Sequence, residues 1–278
     1  MTEDVSMTSH FATFSGCRVH YQTAGDGDPL MLIHGGGPGA FGYSNYRYNI
    51  YALSQNHRVI LIDLPGFGQS DTMPIQGSMF EAMAAAAFSV LDDMDVKEVS
   101  VVGNSLGGGT ALCMALAQPQ RINKLVLMGP GGGLPMHTPF PTEGLLRMMR
   151  FYEGEPPTKE RLKRVIELLV YDSSRMTNEL LEERFKAAMR ADIVANPPLK
   201  GRGAHPNDQL WRAPLETLYH PVLIIWGKED RILPMEMAFP FLKILPNAEL
   251  HIFPHCGHWV QWEKSEQFNR LVDNFVRS

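Results

Sequence analysis

The 278-residue sequence predicts a doubly wound α/β fold, in which helices cover both faces of a mostly parallel sheet. Short runs of Val, Ile and Leu recur along the chain, and helix-like stretches lie between them. Strands of a buried parallel sheet are apolar on both faces, so they appear in a sequence as continuous apolar runs. The alternation of such strands with helices favours the doubly wound arrangement.

Six apolar runs, each bounded by Gly, Pro, Asp or His, predict the strands of the sheet. They occupy residues 30–33, 59–62, 99–102, 125–128, 222–226 and 250–253. Core helices are expected at residues 79–94, 105–118, 235–245 and 264–276. These elements assign residues 1–133 and 214–278 to one core that is formed by two parts of the chain.

Residues 134–213 break the alternation and are expected to form a helical cap. Helices are predicted at residues 143–152, 159–170, 178–195 and 207–218, while the apolar run 168–171 fits a strand or a helix equally well. Ligand sites of open α/β sheets lie at the carboxyl ends of the strands, so an insertion is expected to cover that edge. The alternative is a second folding domain with no part in catalysis.

Composition and charge exclude several classes of protein. With a net charge of −5, the chain lacks the basic surface that nucleic acids and anionic membranes attract. The three cysteines, at positions 17, 113 and 256, are too few and too scattered for a disulfide framework. The longest apolar stretch, residues 82–91, is about half a membrane span, and the first residues do not resemble a signal peptide. We therefore expect a soluble, cytoplasmic protein.

The segment VSVVGNSLGGG (99–109) is the most informative part of the sequence. It places G-x-S-x-G between an apolar strand and an Ala- and Leu-rich helix, which is the setting of a nucleophile elbow in the α/β-hydrolase fold. Gly103 and Gly107 leave room for a sharp turn that raises the Ser105 hydroxyl to the edge of the sheet. The alternative is a glycine-rich turn with a solvated serine.

A serine nucleophile needs a histidine base and a carboxylate that orients the base. In α/β-hydrolases these residues follow the serine in the order acid, then histidine. Asp230 lies just after the predicted strand 222–226, with Glu229 as the second candidate. His258 follows the last predicted strand and precedes the final helix, so we expect a Ser105–Asp230–His258 triad.

The loop HGGGPGA (34–40) is expected to stabilise an oxyanion. Backbone N–H groups in such a turn, together with the N–H of the residue after the nucleophile, bind the charge that develops on a carbonyl oxygen. The expected donors are Gly37, with Gly36 beside it, and Leu106.

Three other interpretations of these motifs are weaker. Gly35, Gly37 and Ala40 fit a loose dinucleotide-binding fingerprint, with Asp63 as a ribose ligand, but this leaves the triad without a role. The His and Cys residues between 251 and 258 do not follow the spacing of common zinc sites. The glycine-rich segment 103–110 lacks the lysine of a P-loop. We therefore expect neither a cofactor nor a metal.

The combined motifs resemble the meta-cleavage product hydrolases, serine α/β-hydrolases that cleave carbon–carbon bonds in bacterial aromatic degradation. The matching segments are HGGGPGA (34–40), SNY (44–46), DLPGFGQSD (63–71), GNSLGGGTAL (103–112), LVLMGPGG (125–132), WGKEDR (226–231) and CGHWVQWEK (256–264). Asn before the nucleophile and Trp after the histidine are more specific than the triad, which esterases share. In the cap, only VYDSS (170–174) and LLEERF (180–185) match.

The resemblance implies a 2-hydroxy-6-oxohexa-2,4-dienoate substrate with a group at C6, and a homo-oligomeric enzyme. It implies substrate contacts from Gly36, Gly37, Asn45, Asn104, Ser174, Arg184 and Trp259. A cation at the C1 carboxylate, assigned to Arg184, favours movement of a proton to C5 before Ser105 attacks C6. The alternative for Arg184 is a solvated arginine on a helix surface.

The C6 group depends on the pocket below the cap. Met148, Phe151, Leu210 and Trp211 are candidates for an apolar lining, although the same residues fit an ordinary cap core. A phenyl group is the leading expectation, with alkyl and steroid-derived groups as alternatives. Two other functions stay open, a carboxylesterase and a ligand-binding protein that retains the triad. A haloalkane dehalogenase or an epoxide hydrolase requires Asp at position 105, so the serine argues against both.

Overall fold

The computed structural model describes residues 5–199 and 205–278, and confirms the α/β-hydrolase fold. Within these residues an eight-stranded sheet has the order β1-β2-β4-β3-β5-β6-β7-β8. The strands are β1 (Thr8–Phe14), β2 (Cys17–Ala24), β3 (Asp28–Ile33), β4 (His57–Ile62), β5 (Val99–Asn104), β6 (Ile122–Met128), β7 (Val222–Gly227) and β8 (Ala248–Phe253). In this order, every pairing from β4 to β8 is parallel, while β1–β2 and β2–β4 are antiparallel.

Helices pack on both faces of the sheet and bury two apolar layers. The core helices are α1 (Gly42–Tyr46), α2 (Ile50–Ser54), α3 (Met79–Asp93), α4 (Leu106–Ala117), α9 (Ala238–Ile244), α10 (Val260–Glu263) and α11 (Ser265–Arg277). Side chains of α3 and α4 fill one layer, while those of α2 and α11 fill the other. None of the described helices is long and apolar enough to cross a membrane.

In its described part, the segment between β6 and β7 contains helices and irregular loops but no strand. It contains α5 (Glu143–Met149), α6 (Lys159–Leu169), α7 (Asn178–Ala188) and α8 (Ala191–Ala195), followed by short 3-10 turns. We keep the term cap for residues 134–213. The run 168–171, for which the sequence left two alternatives, is the end of α6 and the extended residues after it.

The six predicted strands are present, but the hairpin of β1 and β2 was missed. β1 is largely exposed, with Ala12 as its one buried residue, and β2 mixes buried polar and apolar residues, so neither strand of this antiparallel edge has a continuous apolar run. Two cap predictions were also wrong. The single helix expected at 178–195 is interrupted where Arg190 takes an extended conformation and donates to the carbonyl oxygens of Gly68 and Ser70. The helix expected at 207–218 is a series of separate 3-10 turns.

Candidate active site

Ser105 lies in the turn between β5 and α4, at the carboxyl edge of the sheet. Its φ of 55° and ψ of −111° are unfavourable for a residue with a side chain and carry a strain of about 1–3 kcal/mol. The turn requires two glycines. A Cβ on Gly103 would lie 2.2 Å from the carbonyl oxygen of Gly107, and one on Gly107 would lie 2.2 Å from that of Ile33. The local sequence thus forces Ser105 into the elbow geometry.

Asp230 and His258 meet beside this turn, on the loops that follow β7 and β8. Asp230 Oδ2 accepts a hydrogen bond from His258 Nδ1 at 2.6 Å, and its Oδ1 accepts from the backbone N–H groups of Ile232 and Leu233. With its proton on Nδ1, His258 presents an unprotonated Nε2. This atom is buried, has no partner among the described residues and belongs to a ring that lines the same cavity as Ser105.

Glu229, the second candidate for the acid, has a different role. Its carboxylate accepts the backbone N–H of Cys256 at 3.0 Å, and its own N–H donates to the Cys256 carbonyl oxygen. Residues 254–259, between β8 and α10, form what we call the histidine loop. Glu229 therefore ties this loop to the end of β7, whereas Asp230 contacts the imidazole.

The glycine loop 35–37 lines the same cavity as His258. His34 fixes the start of this loop, because its Nδ1 donates to Gly35 O at 2.7 Å and its Nε2 accepts from Leu64 N at 3.0 Å. Burial lowers the pKa of His34, which keeps the ring neutral and suited to this donor–acceptor pair. Leu106 begins α4, so its N–H has no acceptor within the helix and lies at the positive end of the helix dipole.

Arg184 extends from α7 of the cap into the cavity and is completely buried. Its Nη2 and Nε donate to the carbonyl oxygen of Pro38 at 2.8 and 3.3 Å, and its guanidinium lies 4.9 Å from the centre of the Trp259 ring. Nη1 has no partner among the described residues, and no described carboxylate forms an ion pair with this arginine. The pKa of Arg184 is lowered to about 9, chiefly by burial; Tyr152 raises this pKa and Arg47 lowers it, and both effects are smaller than that of burial. A buried cation without a counterion indicates a site for an anion.

Asn45 and Asn104 line the same cavity as Ser105. Asn45 Nδ2 donates to Asn104 Oδ1 at 3.4 Å, a long hydrogen bond. Asn104 Nδ2 donates to the carbonyl oxygens of Met128 and His258, at 3.2 and 3.4 Å. The Asn45 Oδ1 is buried and unpaired among the described residues, so it is available to a hydroxyl group of a ligand.

The structure does not bring Ser174 to this cavity. Ser174 is exposed in the 3-10 turn Ser173–Arg175, where its hydroxyl and its backbone N–H both donate to the carboxylate of Asp172. Of the four apolar cap candidates, Met148 lines the cavity. The others lie elsewhere: Phe151 packs against Tyr152 within the cap, Leu210 contacts the 130–133 turn, and Trp211 stacks with Arg212.

Among the described residues the cavity is narrow, with a volume of about 10 Å³, which is about what one water molecule requires. Met148 and Leu169 contribute apolar lining, while Ser105, His258 and Arg184 contribute polar groups. A second small cavity of about 10 Å³ shares Gly36, Ala40 and Met148 with the first.

Sequence reasoning missed one residue with contacts to the catalytic loop. The carboxylate of Glu263 accepts the N–H of Gly257, immediately before His258, and also the N–H groups of Tyr171 and Asp172 in the cap. Glu263 stands five residues after His258, and the only sequence signal is its place in the QWEK segment.

Comparisons with known proteins show the family of the chain. The family model of the alpha/beta hydrolase fold matches residues 28–265. A 2-hydroxy-6-oxononadienedioate/2-hydroxy-6-oxononatrienedioate hydrolase from Burkholderia vietnamiensis is 42% identical over 94% of this chain and 91% of its own length. The protein of the same name from Escherichia coli K12 is 40% identical over 93% and 91%.

Solved structures of meta-cleavage product hydrolases are also similar to this chain. A variant of the meta-cleavage product hydrolase from Pseudomonas fluorescens IP01 has a TM-score of 0.81 at 31% identity, with 98% of both chains covered. The 2-hydroxy-6-oxo-6-phenylhexa-2,4-dienoate hydrolase from Rhodococcus sp. strain RHA1 has a TM-score of 0.84 at 27% identity, with 99% of this chain and 100% of that chain covered.

Proposed function

We propose that the chain, which belongs to the meta-cleavage product hydrolases of the α/β-hydrolase fold, cleaves the C5–C6 bond of a 2-hydroxy-6-oxohexa-2,4-dienoate. The catalytic residues are Ser105, His258 and Asp230. The C6 group of the substrate is uncharged, and phenyl is the first candidate. One observation carries this proposal. Arg184, a buried cation for which the described residues supply no counterion, lines the same cavity as Ser105 and His258, whose Nε2 has no hydrogen-bond partner among those residues. Hydrolysis of an uncharged ester does not require a buried cation, whereas the C1 carboxylate of a dienoate would pair with Arg184.

The first step is binding and ketonisation. Arg184 Nη1 pairs with the C1 carboxylate or the C2 oxygen, and the charge-assisted hydrogen bond stabilises the dienolate. Direct cleavage of C5–C6 would leave a carbanion without an acceptor. When the C2 hydroxyl becomes a ketone and C5 gains a proton, the electrons of the C5–C6 bond can later delocalise onto the C2 oxygen.

The second step is nucleophilic attack. His258 Nε2 takes the Ser105 proton while Asp230 stabilises the imidazolium, and Oγ adds to the C6 carbonyl. The N–H groups of Gly37 and Leu106, with Gly36 beside them, stabilise the tetrahedral oxyanion, and each donor contributes about 3 kcal/mol in comparable enzymes.

The third step separates the products. The tetrahedral intermediate collapses, C5–C6 breaks, and the bonding electrons form the dienolate, which gains a proton to give 2-hydroxypenta-2,4-dienoate. His258 then activates one water molecule, which hydrolyses the acyl-Ser105 ester to a carboxylic acid. The reaction consumes one water and needs no redox cofactor.

The lining of the cavity supports an uncharged C6 group. Arg184 is the only Lys or Arg among the described lining residues, and Met148 and Leu169 are also part of the lining. A second carboxylate would therefore lack a described cation, whereas an aryl group would contact methionine and leucine side chains. The phenyl compound, a ring-fission product of the biphenyl type, is the substrate that we propose.

A dicarboxylate is the second candidate, because two relatives near 40% identity are named as 2-hydroxy-6-oxononadienedioate hydrolases. Values of kcat/KM for the phenyl compound and for 2-hydroxy-6-oxononadienedioate separate the two candidates. A higher value for the phenyl compound supports our proposal. A value for the dicarboxylate at least tenfold above that of the phenyl compound would assign the chain to the specificity of those relatives.

A further inference from the structure

Glu263 joins the loop of the catalytic histidine to the cap. Its Oε2 accepts the Gly257 N–H at 2.6 Å, and Gly257 directly precedes His258. Its Oε1 accepts the N–H groups of Tyr171 and Asp172, both at 2.9 Å. One carboxylate thus receives three backbone hydrogen bonds from two distant segments of the chain.

The cap segment involved, which we call the strap (residues 167–175), lies directly on the histidine loop. The Trp259 N–H donates to Leu169 O at 3.1 Å. A Cβ on Gly257 would lie 2.8 Å from Leu169 O and 2.8 Å from the carbonyl carbon of Val170. The contact is therefore a backbone-to-backbone packing that only glycine permits at position 257.

Two arginines fasten the same strap. Arg231, next to Asp230, donates through Nη2 to the carbonyl oxygens of Glu167 and Val170. Arg175, on the strap itself, lies over the ring of Trp262 and donates to the Glu263 carbonyl oxygen at 3.4 Å. Glu263 therefore acts at a junction that is already closely packed.

The histidine loop needs such support because its backbone is strained. His255 has a φ of 51°, in the left-handed region that disfavours residues with a side chain. Glu229 holds the loop at Cys256, while Glu263 holds it at Gly257. Asp230 orients the imidazole by a single hydrogen bond, so the position of the ring relative to Ser105 depends on the backbone that these two glutamates fix.

We propose that Glu263 is a positioning residue for His258, and that its carboxylate keeps the histidine loop aligned with the strap so that Nε2 stays within reach of Ser105. The inference rests on the proposed function, in which His258 is the base. A carboxylate is required because it accepts at both oxygens, whereas a glutamine would place an N–H₂ group against at least one of the backbone N–H donors.

The test compares Glu263→Gln with Glu266→Gln, a matched control on an exposed position at the start of α11. The first readout is the rate at which a fluorophosphonate probe modifies Ser105, forming an O–P bond and expelling fluoride. The second is kcat and KM for the phenyl dienoate. We expect Glu263→Gln to lower the modification rate and kcat about tenfold or more, the range typical of lost supporting contacts, with KM within about twofold. Glu266→Gln should match the wild type.

A merely structural role predicts a different pattern. If Glu263→Gln reacts with the probe at the wild-type rate and keeps its kcat, while only KM or the unfolding temperature changes, the proposal is overturned. Should this variant fail to fold, Glu263→Asp decides. It keeps the charge but is one methylene shorter and cannot reach both segments, so the same loss of rate is expected, and wild-type rates would again overturn the proposal.

The probe also separates this inference from the proposed function. Phosphonylation requires Ser105 and His258 but no dienoate. A wild type that reacts with the probe and leaves the dienoate intact would refute the proposed substrate, while the Glu263 comparison keeps its meaning. A wild type that neither reacts with the probe nor cleaves the dienoate would refute both.

Discussion

The two walls of the active site are built in different ways. On the core wall, backbone turns place the chemical groups, and Gly35, Gly103 and Gly107 lie where a Cβ would clash with neighbouring atoms. On the cap wall, single side chains reach in from helices, as Arg184 does from α7. The chemistry thus depends on backbone geometry on one side and on helical register on the other.

This difference predicts how each wall responds to substitution. A change on the core wall should impair every reaction of Ser105, since all of them use the same nucleophile, base and oxyanion donors. A change on the cap wall should affect only substrates with the anionic end that Arg184 binds. Substitutions at Asp230, Arg184, His34 and Ser174 test this division.

Asp230→Asn on the core wall should have the largest effect. The amide can no longer stabilise the imidazolium or hold the Nδ1 proton, and comparable changes lower kcat by about 10⁴-fold. The loss should be similar for the phenyl dienoate and for a nitrophenyl ester, as measured by steady-state kinetics. If only one substrate were affected, the two reactions would not share a triad.

Arg184→Gln on the cap wall should lower kcat/KM for the dienoate about 100-fold, since hydrogen bonds to a charged partner contribute about 3 kcal/mol. Turnover of a nitrophenyl ester should change less than about threefold. Arg164→Gln, at an exposed position of the cap helix α6, serves as the matched control. Equal losses for the ester and the dienoate would contradict a carboxylate-binding role.

His34 should make the stability of the core wall dependent on pH. Burial lowers its pKa in the folded state, so below pH 6.5 the unfolded chain binds a proton that the folded protein excludes. The stability that neutral His34 supports is present above pH 6.5 and decreases by up to about 1.4 kcal/mol per unit as the pH falls below it. Urea unfolding of wild type and His34→Gln between pH 5 and 8 measures this, and identical slopes would show that His34 does not contribute.

Ser174→Ala should have the smallest effect. The Ser174 hydroxyl is exposed and bonds to Asp172, so kcat and KM for the dienoate should stay within about twofold of the wild type. A tenfold rise in KM would show that the 173–175 turn reaches the substrate during turnover and that the cap wall extends further than described.

The same division explains what the sequence could predict. Gly103, Ser105 and Gly107 follow one another, so a short motif contains the complete elbow. The order Ser105, Asp230, His258 likewise predicted that these residues lie near one edge of the sheet, since parallel strands bring their carboxyl ends together. Ser105 and His258 do line one cavity, and Asp230 contacts His258.

The cap was harder to predict because helical register is not contained in a short motif. Arg184 and Ser174 were both assigned by resemblance, yet one is buried in the cavity and the other is exposed. Glu263 was missed for a related reason. Its partners are backbone N–H groups of distant segments, and no residue type at positions 171, 172 or 257 indicates that contact.

The role of Ser105 as the nucleophile is tested by mixing 2-hydroxy-6-oxo-6-phenylhexa-2,4-dienoate with the wild type and with Ser105→Ala. The loss of the yellow dienolate is followed, and the products are identified by chromatography. We expect the wild type to form benzoate and 2-hydroxypenta-2,4-dienoate in equal amounts, and Ser105→Ala to form neither at a measurable rate. Cleavage by Ser105→Ala at a rate near that of the wild type would contradict the assignment of Ser105 as the nucleophile.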